Sequence, residues 1–469
     1  VISLHRLLRR VQKLGLSALI VLIVTGCMHT PPQVATRNPD GILLPDGQRI
    51  DAAGDLVSFG GRPIDMAVGS DGRFLYAKDN RGIVTIDTLS WQVVQELAFG
   101  NDQGGSQHGI ALDGAGTRLY ATTAQHHLMI GTIAEDGTLS WQHTVELPGP
   151  KGTDASHPTG IALTPDGTHA WVALSRNNAL AKINLTTHSV ESTIPTGIAP
   201  YDVVLSADGT TAWVSNWGGR RPTAEDHTAD SSGTEVVVDD RGIGASGTVS
   251  AIDLASGETI AEITTGLHPT DLLLNRDGSR LFVANANSDT VSVMNTTTHM
   301  VLQELLVRPD PKLPFGSAPN GLALNADESR LFVANGGNNA IAVVALEDPN
   351  AYRVTGFLPT AWYPAGLDWH DGNLYVANVK GLGSRKDKPE NDGRSVYDFL
   401  GTINRIPESA LDQLDRHTAA VHRQGNTPQV LTAWERSHRT TNPVPVPENL
   451  GEASVFDHVV YIVKENRTY

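Results

Sequence analysis

Pro269-Thr-Asp-Leu-Leu-Leu-Asn-Arg-Asp-Gly-Ser-Arg-Leu-Phe-Val-Ala-Asn285 reads as two short strands joined by a tight turn. Leu272 and Leu274 alternate as strand residues do, and Asp277-Gly278 supplies the turn chemistry of a hairpin. Pro158-Thr-Gly-Ile-Ala-Leu-Thr-Pro-Asp-Gly-Thr-His-Ala-Trp-Val-Ala173 repeats the pattern, with Ile161 and Leu163 alternating and Asp166-Gly167 at the turn. Related copies begin at Pro63, His108, Pro200, Pro319 and Pro364, which makes seven. Trp171, Trp213, Phe282, Phe332 and Tyr375 fall at equivalent positions in the second strand, and Trp171, Trp213 and Phe282 read as packing between units. A third strand follows, as in Thr290-Val-Ser-Val-Met294, and a fourth, as in residues 190–194.

A single four-stranded sheet cannot bury both faces, whereas a ring of such sheets can. The expected fold is therefore all-β, a seven-bladed β-propeller over residues 47–407. The ends of the ring are legible too. Fourth strands lead into the next copy through Gly-x-x-Pro, as in Gly197-Ile-Ala-Pro200. Leu56-Val-Ser-Phe-Gly-Gly-Arg-Pro63 carries the same signature with no preceding copy. Residues 55–59 are thus expected to be the outer strand of the seventh blade, beside residues 365–369, 373–378 and 401–406. Such closure removes open sheet edges. Two insertions stand out: residues 218–247, rich in Gly, Asp and Ser, and the charged residues 380–399.

Phe282-Val-Ala-Asn285 and Tyr375-Val-Ala-Asn378 approximate a Tyr-Val-Thr-Asn consensus. The repeats, over roughly residues 46–407, resemble the YVTN family of β-propellers. That resemblance implies a fold and no particular ligand. Composition agrees: 46 Gly and 18% charged residues in 469 suit many turns between short strands. The formal charge of −16 argues against nonspecific nucleic-acid binding, which needs a basic surface.

Arg6, Arg9, Arg10 and Lys13 precede an apolar stretch, residues 14–24, too short for a typical membrane span. Val24-Thr-Gly-Cys27 follows and resembles a bacterial lipobox. The resemblance implies a signal peptide over residues 1–26 and a lipid on Cys27, the only cysteine. The alternative is an ordinary signal peptide with an incidental cysteine. Met28 after Cys27 implies outer-membrane sorting, so the expected location is the bacterial cell envelope, lipid-anchored and facing the periplasm. Residues 27–46 then read as a tether.

Candidate ligands in the repeats are few. His157 and His268 precede the opening Pro of their copies, and His108 is placed in the same slot of the second copy. Arg62 and Tyr363 fill two further copies. If the strand after Pro lines the channel, these five residues ring one mouth of it. Histidines around an axis can hold a metal or a small anion, or they are half-exposed loop residues repeated with the unit. Asn216, Asn285, Asn335 and Asn378 recur after the second strand and are expected to bond turn backbone. His126-His127 and the acids Asp226, Asp230, Asp239 and Asp240 lack any regular cation-loop spacing and read as solvated loops. There is no Gly-x-Ser-x-Gly, no His-Glu-x-x-His and no phosphate-cradling loop.

Beyond residue 407, residues 408–423 read as a short helix with Leu411 and Leu414 on one face, and Asn442-Pro-Val-Pro-Val-Pro-Glu448 as a linker. Residues 456–469 end in Asp457-His-Val-Val-Tyr-Ile-Val-Lys-Glu-Asn-Arg-Thr-Tyr469, an apolar strand delivering Glu465 and Asn466. This run resembles the opening of bacterial phosphoesterases of the alkaline phosphatase superfamily, a fragment of an α/β domain. The resemblance implies that Glu465 and Asn466 are ligands of a divalent metal in an incomplete site. The nucleophile and remaining ligands would lie beyond residue 469, so these residues alone are expected to be hydrolytically inactive and to hold no cofactor. The leading expectation is the binding or scaffold module of a propeller–phosphoesterase protein, its partners the membrane and a protein or small molecule on a propeller face. Rivals are a stand-alone binding lipoprotein and a lactonase-like propeller enzyme.

Overall fold

Each repeat folds as one four-stranded antiparallel sheet, and seven sheets form the ring. The computed structural model describes residues 37–38, 41–100, 103–150, 155–349, 351–384, 399–436, 442–447, 452–456, 458 and 460. Blade 1 comprises Asp65–Val68, Phe74–Lys78, Gly82–Asp87 and Gln92–Ala98. Blade 2 comprises Gly105–Leu112, Arg118–Thr123, His127–Ile133 and Leu139–Glu146. Blade 3 comprises Pro158–Leu163, His169–Leu174, Ala179–Asn184 and Ser189–Pro195. Blade 4 comprises Ile198–Leu205, Thr211–Gly219, Thr248–Asp253 and Thr259–Thr264. Blade 5 comprises Pro269–Leu274, Arg280–Asn285, Thr290–Asn295 and Met300–Leu306. Blade 6 comprises Pro319–Leu324, Arg330–Asn335, Ala340–Ala345 and Arg353–Pro359.

Blade 7 is assembled from both ends of the repeat region. Trp362–His370, Asn373–Gly381 and Leu400–Pro407 are completed by Asp55–Gly60. Leu400 pairs with Gly60 and Arg405 with Asp55, and an Arg405–Asp55 ion pair of 2.7 Å locks the last register. The closure expected from residues 55–59 is the one found.

The hairpin turns explain themselves. In blade 5 the Gly278 N–H donates to Asn275 O, with Gly278 at φ +69°, a left-handed conformation that glycine adopts without a Cβ penalty. Blade 6 places Glu328 at the same site with φ +57°, so that turn carries local strain.

The core lies between blades. Trp213 of blade 4 packs with Leu272, Leu281 and Val283 of blade 5, and Phe282 of blade 5 with Leu322, Leu331 and Val333 of blade 6. Phe332 of blade 6 stacks on Trp369 of blade 7 at 5.2 Å. Tyr76 and Tyr120 hold the same register position in blades 1 and 2 and are almost fully buried. Burying one such ring contributes roughly 3 kcal/mol. The recurring asparagines divide: Asn335 donates to Val307 O and Asn378 to Val376 O, both backbone, and the other two do not. Instead of bonding turn backbone, Asn216 donates to Thr248 Oγ1 and Ser250 Oγ, and Asn285 to Thr290 Oγ1 and Ser292 Oγ. Both are fully buried, where a hydroxyl on the adjacent third strand is the nearest acceptor.

The helix Leu414–Gln424, reached through a 3-10 turn at Glu408–Gln413, lies on the outer strand of blade 6. Thr418 Oγ1 accepts from Phe357 N at 2.8 Å. Gly356 is required there, because a Cβ would fall 2.6 Å from the Leu414 side chain. A second helix, Thr427–Arg436, follows. No helix among the described residues is long and apolar enough to cross a bilayer.

Candidate functional site

Two kinds of loop share one face of the ring: the crossovers entering each inner strand and the turns from second to third strands. The insertion of blade 4 is a second-to-third-strand loop and rises from this face; that of blade 7 joins Asn373–Gly381 to Leu400–Pro407, and its residues 385–398 lie outside the described residues. In blade 4 the insertion forms a hairpin, Thr228–Ser231 with Thr234–Val237. It leans toward blade 3, where Asn178 Nδ2 donates to Thr234 Oγ1 at 3.4 Å.

Inner-strand registers align the copies. Ala111 pairs with Tyr120, Ala162 with Trp171, Val204 with Trp213 and Leu273 with Phe282. His108 is therefore equivalent to Thr159, Tyr201 and Thr270, two residues beyond the slot that holds His157 and His268. The corresponding slot of blade 2 holds Ser106. Its lack of a Pro shifted the sequence frame. The slot itself is marked by left-handed backbone at His157, Ala199, His268, Ala318 and Tyr363 (φ +47° to +64°).

The shift carries His108 into the channel. Its Nδ1 lies 3.1 Å from Asp65 Oδ2 and its Nε2 3.0 Å from Asp202 Oδ1. Burial alone would lower its pKa, but Asp65 and Asp202 outweigh that and hold it well above the usual histidine value. The ring is thus an imidazolium with both N–H groups spent. Asp65 would likewise be raised by burial, yet His108 and Lys78 hold it below the usual carboxylate range. Asp271, on the equivalent position of blade 5, is pushed well above that range by burial and by Asp202. That shift favours its protonated form.

Lys78 completes the network. Its side chain is fully buried, and its Nζ donates to Ser106 Oγ, His108 O, Gly109 O and Thr122 Oγ1 at 2.6–3.1 Å. Burial pulls the amine down to about 7 and Asp65 opposes this. Its partners can all accept, so the cage fits the protonated form. The donor atoms of His108, Asp202 and Asp271 lie within 4.8 Å of one another, close enough to suggest a metal. Because His108 already spends both nitrogens on carboxylates, the cluster is better described as a self-compensated ion network.

Above the network stands a stack of rings. His108 lies on Tyr201 at 5.2 Å, Tyr201 on Trp217 at 4.4 Å and Trp217 on His268 at 4.2 Å. Burial depresses His268 to about 4, so it is neutral at pH 7. The stack and the network bound a cavity of about 590 Å³ whose far wall includes Arg62, Tyr363 and Lys380. A second cavity, about 810 Å³, lies under the hairpin of blade 4 and shares Trp217 and His268 with the first.

Of the five mouth residues expected from sequence, Arg62, His108, His268 and Tyr363 line the first cavity, while His157 lines the second. His157 bonds Ala124 O through Nδ1. Asp65, Lys78, Asp202, Tyr201, Trp217 and Asp271 were missed. The signal for three of them was Pro-x-Asp in Pro63-Ile-Asp65, Pro200-Tyr-Asp202 and Pro269-Thr-Asp271. The acids of the insertion do not converge: Asp226 is paired with Arg220 and Asp239 with Arg241. His126 and His127 lie with ring centroids 4.0 Å apart and join no metal-ligating cluster among the described residues. Cys27, Glu465 and Asn466 lie outside the described residues.

No family model matches this chain, and no curated protein matches it. Solved structures do. Hydrazine synthase of Kuenenia stuttgartiensis is similar at TM-score 0.54 and 18% identity, over 68% of this chain and 93% of that one. The β-propeller domain of Cps50 (Swd1) from Myceliophteria thermophila matches at 0.51 and 13%, over 76% and 98%. Virginiamycin B lyase from Staphylococcus aureus matches at 0.50 and 15%, over 75% and 99%. At such identities the likeness is one of fold.

Proposed function

We propose that this chain is a ligand-binding propeller whose site is the channel mouth. The observation that carries the reading is the 590 Å³ cavity, which has the volume of small-molecule sites and is walled by a rigid ring stack over a charge-compensated floor. Groups already held in place lose little entropy on binding, which favours affinity. The test is a small-molecule panel read by thermal shift on wild type and Trp217→Ala. Stabilising compounds should lose their effect in the variant. If every stabilising compound acts equally on both proteins, the mouth is not the site.

The resemblance of residues 456–469 to a phosphoesterase opening supports a place for this module beside a hydrolase, with Glu465 and Asn466 among its divalent-metal ligands. The lipobox resemblance at Cys27 supports a lipid-anchored envelope location facing the periplasm. A chain extended with any downstream coding sequence should release phosphate from p-nitrophenyl phosphate when supplied with divalent metal. Activity unchanged by Glu465→Ala would refute that assignment.

A second reading, an enzyme acting at the same mouth, is favoured by Asp271, which lines the cavity and whose carboxyl is pushed toward its protonated form by burial and by Asp202, as suits a general acid. Turnover of a bound compound by wild type, lost in Asp271→Asn with binding intact, would select it.

A further inference from the structure

Charge around the mouth runs against the charge of the whole. The chain carries a formal −16, and the floor network balances its carboxylates internally with His108 and Lys78. What remains on the cavity wall is positive. Arg62 and Lys380 both line it, and neither forms an ion pair among the described residues. Lys380 lies over the rings of Trp362 and Tyr363 at 4.8 and 5.2 Å, and Arg62 over Phe399 at 5.7 Å. Arg62 Nε is also buried with no hydrogen-bond partner. Burial, then the nearby Arg62, lowers Lys380, while Asp46 opposes this.

The neighbouring 810 Å³ cavity has an apolar stretch in its lining, beside Arg176 and Arg241. Ile198, Val236, Val237, Ile243 and Phe315 line it, and Ile243 and Phe315 are more than half exposed. It adjoins the charged cavity across Trp217 and His268.

Resting on the binding reading above, we propose that the site takes an amphiphilic organic anion. Its acid group sits on Arg62 and Lys380, and its apolar body passes Trp217 and His268 to lie under the blade 4 hairpin. An acid group desolvated between two cations gains charge-assisted hydrogen bonds, and an alkyl body contributes through buried area, about 0.8 kcal/mol per methylene. Neither chamber by itself explains the other's lining.

Calorimetric titration tests this with decanoate, decyl phosphate, decyltrimethylammonium and inorganic phosphate as probes. Decanoate or decyl phosphate should bind, and which binds tighter separates a carboxylate source from a phosphate one. Decyltrimethylammonium and inorganic phosphate should bind at least tenfold more weakly. Arg62→Gln and Lys380→Gln should each weaken the anion about tenfold with the melting temperature unchanged, and Val236→Asp should weaken it as much from the other end. If the cation binds as well as the anions, or both charge variants leave affinity intact while Trp217→Ala abolishes it, the mouth is a site but not for anions. If no probe binds and none is displaced by a thermal-shift hit, the amphiphile proposal falls. If Trp217→Ala also spares every hit, the mouth reading falls with it.

Discussion

Blades 1, 4 and 5 place an aspartate where blades 2, 3, 6 and 7 place a glycine, and the two residues solve one crowding problem in opposite ways. At the glycines, neighbouring inner strands meet backbone to backbone. A Cβ on Gly109 would fall 2.0 Å from Thr159 O, and one on Gly321 1.9 Å from Ala365 O. At the aspartates the side chain itself spans the gap. Asp65 Oδ2 accepts from Gly109 N at 2.7 Å, Asp202 Oδ2 from Leu272 N at 3.0 Å and Asp271 Oδ2 from Leu322 N at 2.6 Å. Each ties its blade to the next. The glycines leave the axis neutral, whereas the aspartates bring carboxylates to it, and His108 reaches across from blade 2 to join those of blades 1 and 4. A repeat thus acquires a polar site by changing the residue that sets blade spacing, without changing the blade.

The contrast breaks most visibly at His108. His108→Ala leaves Asp65 and Asp202 facing each other without their shared cation, and should cost about 3–5 kcal/mol by urea denaturation. A loss under about 1 kcal/mol would mean that the carboxylates do not depend on it. Gly321→Ala should cost somewhat less, about 3 kcal/mol, through strand separation. Ala introduced at the aspartate sites should bring no such clash.

A finer contrast lies within the aspartates. Asp65→Asn removes a charge facing His108 and Lys78 and should cost about 2 kcal/mol. Burial and Asp202 favour the protonated form of Asp271, so Asp271→Asn, close to that form in shape, should cost less than about 1 kcal/mol. Equal costs would place the proton elsewhere. The smallest effect is in pH. Since His108 is raised in the folded chain, its stabilisation is complete below the ordinary histidine pKa and is lost as pH rises through the elevated value. The stability gap between wild type and His108→Gln should therefore narrow on the alkaline side. Asp65, being lowered, loses its contribution at the acid end, below the ordinary aspartate value.

The ring was readable because it repeats. Turn glycines, alternating leucines and second-strand aromatics recur with enough fidelity to number the blades, and Leu56–Pro63 betrays the closure by having no predecessor. The site was harder because it lives in departures from the repeat. Lys78 stands where four other blades have Ala173, Ala284, Ala334 and Ala377 and the remaining two have Thr122 and Ser215, so a lysine there has no counterpart for pattern reading to align. His108 misled for the same reason, since blade 2 lacks the Pro that sets the frame. The helix from Leu414 was legible through Leu411 and Leu414, but its seat on blade 6 was not. That seat depends on Gly356 and Thr418 meeting across the fold.

The closing strand also orders events in time. Arg405 and Asp55 lie 350 residues apart in the chain, so Asp55–Gly60 leaves the ribosome long before its partner strand exists. At roughly 5–20 residues per second, the first blades spend tens of seconds as an open arc with an unpaired strand at its leading end. During synthesis the ring is a spring waiting for its clasp, and that interval is when a chaperone or a second nascent copy has access to the edge that the finished protein hides.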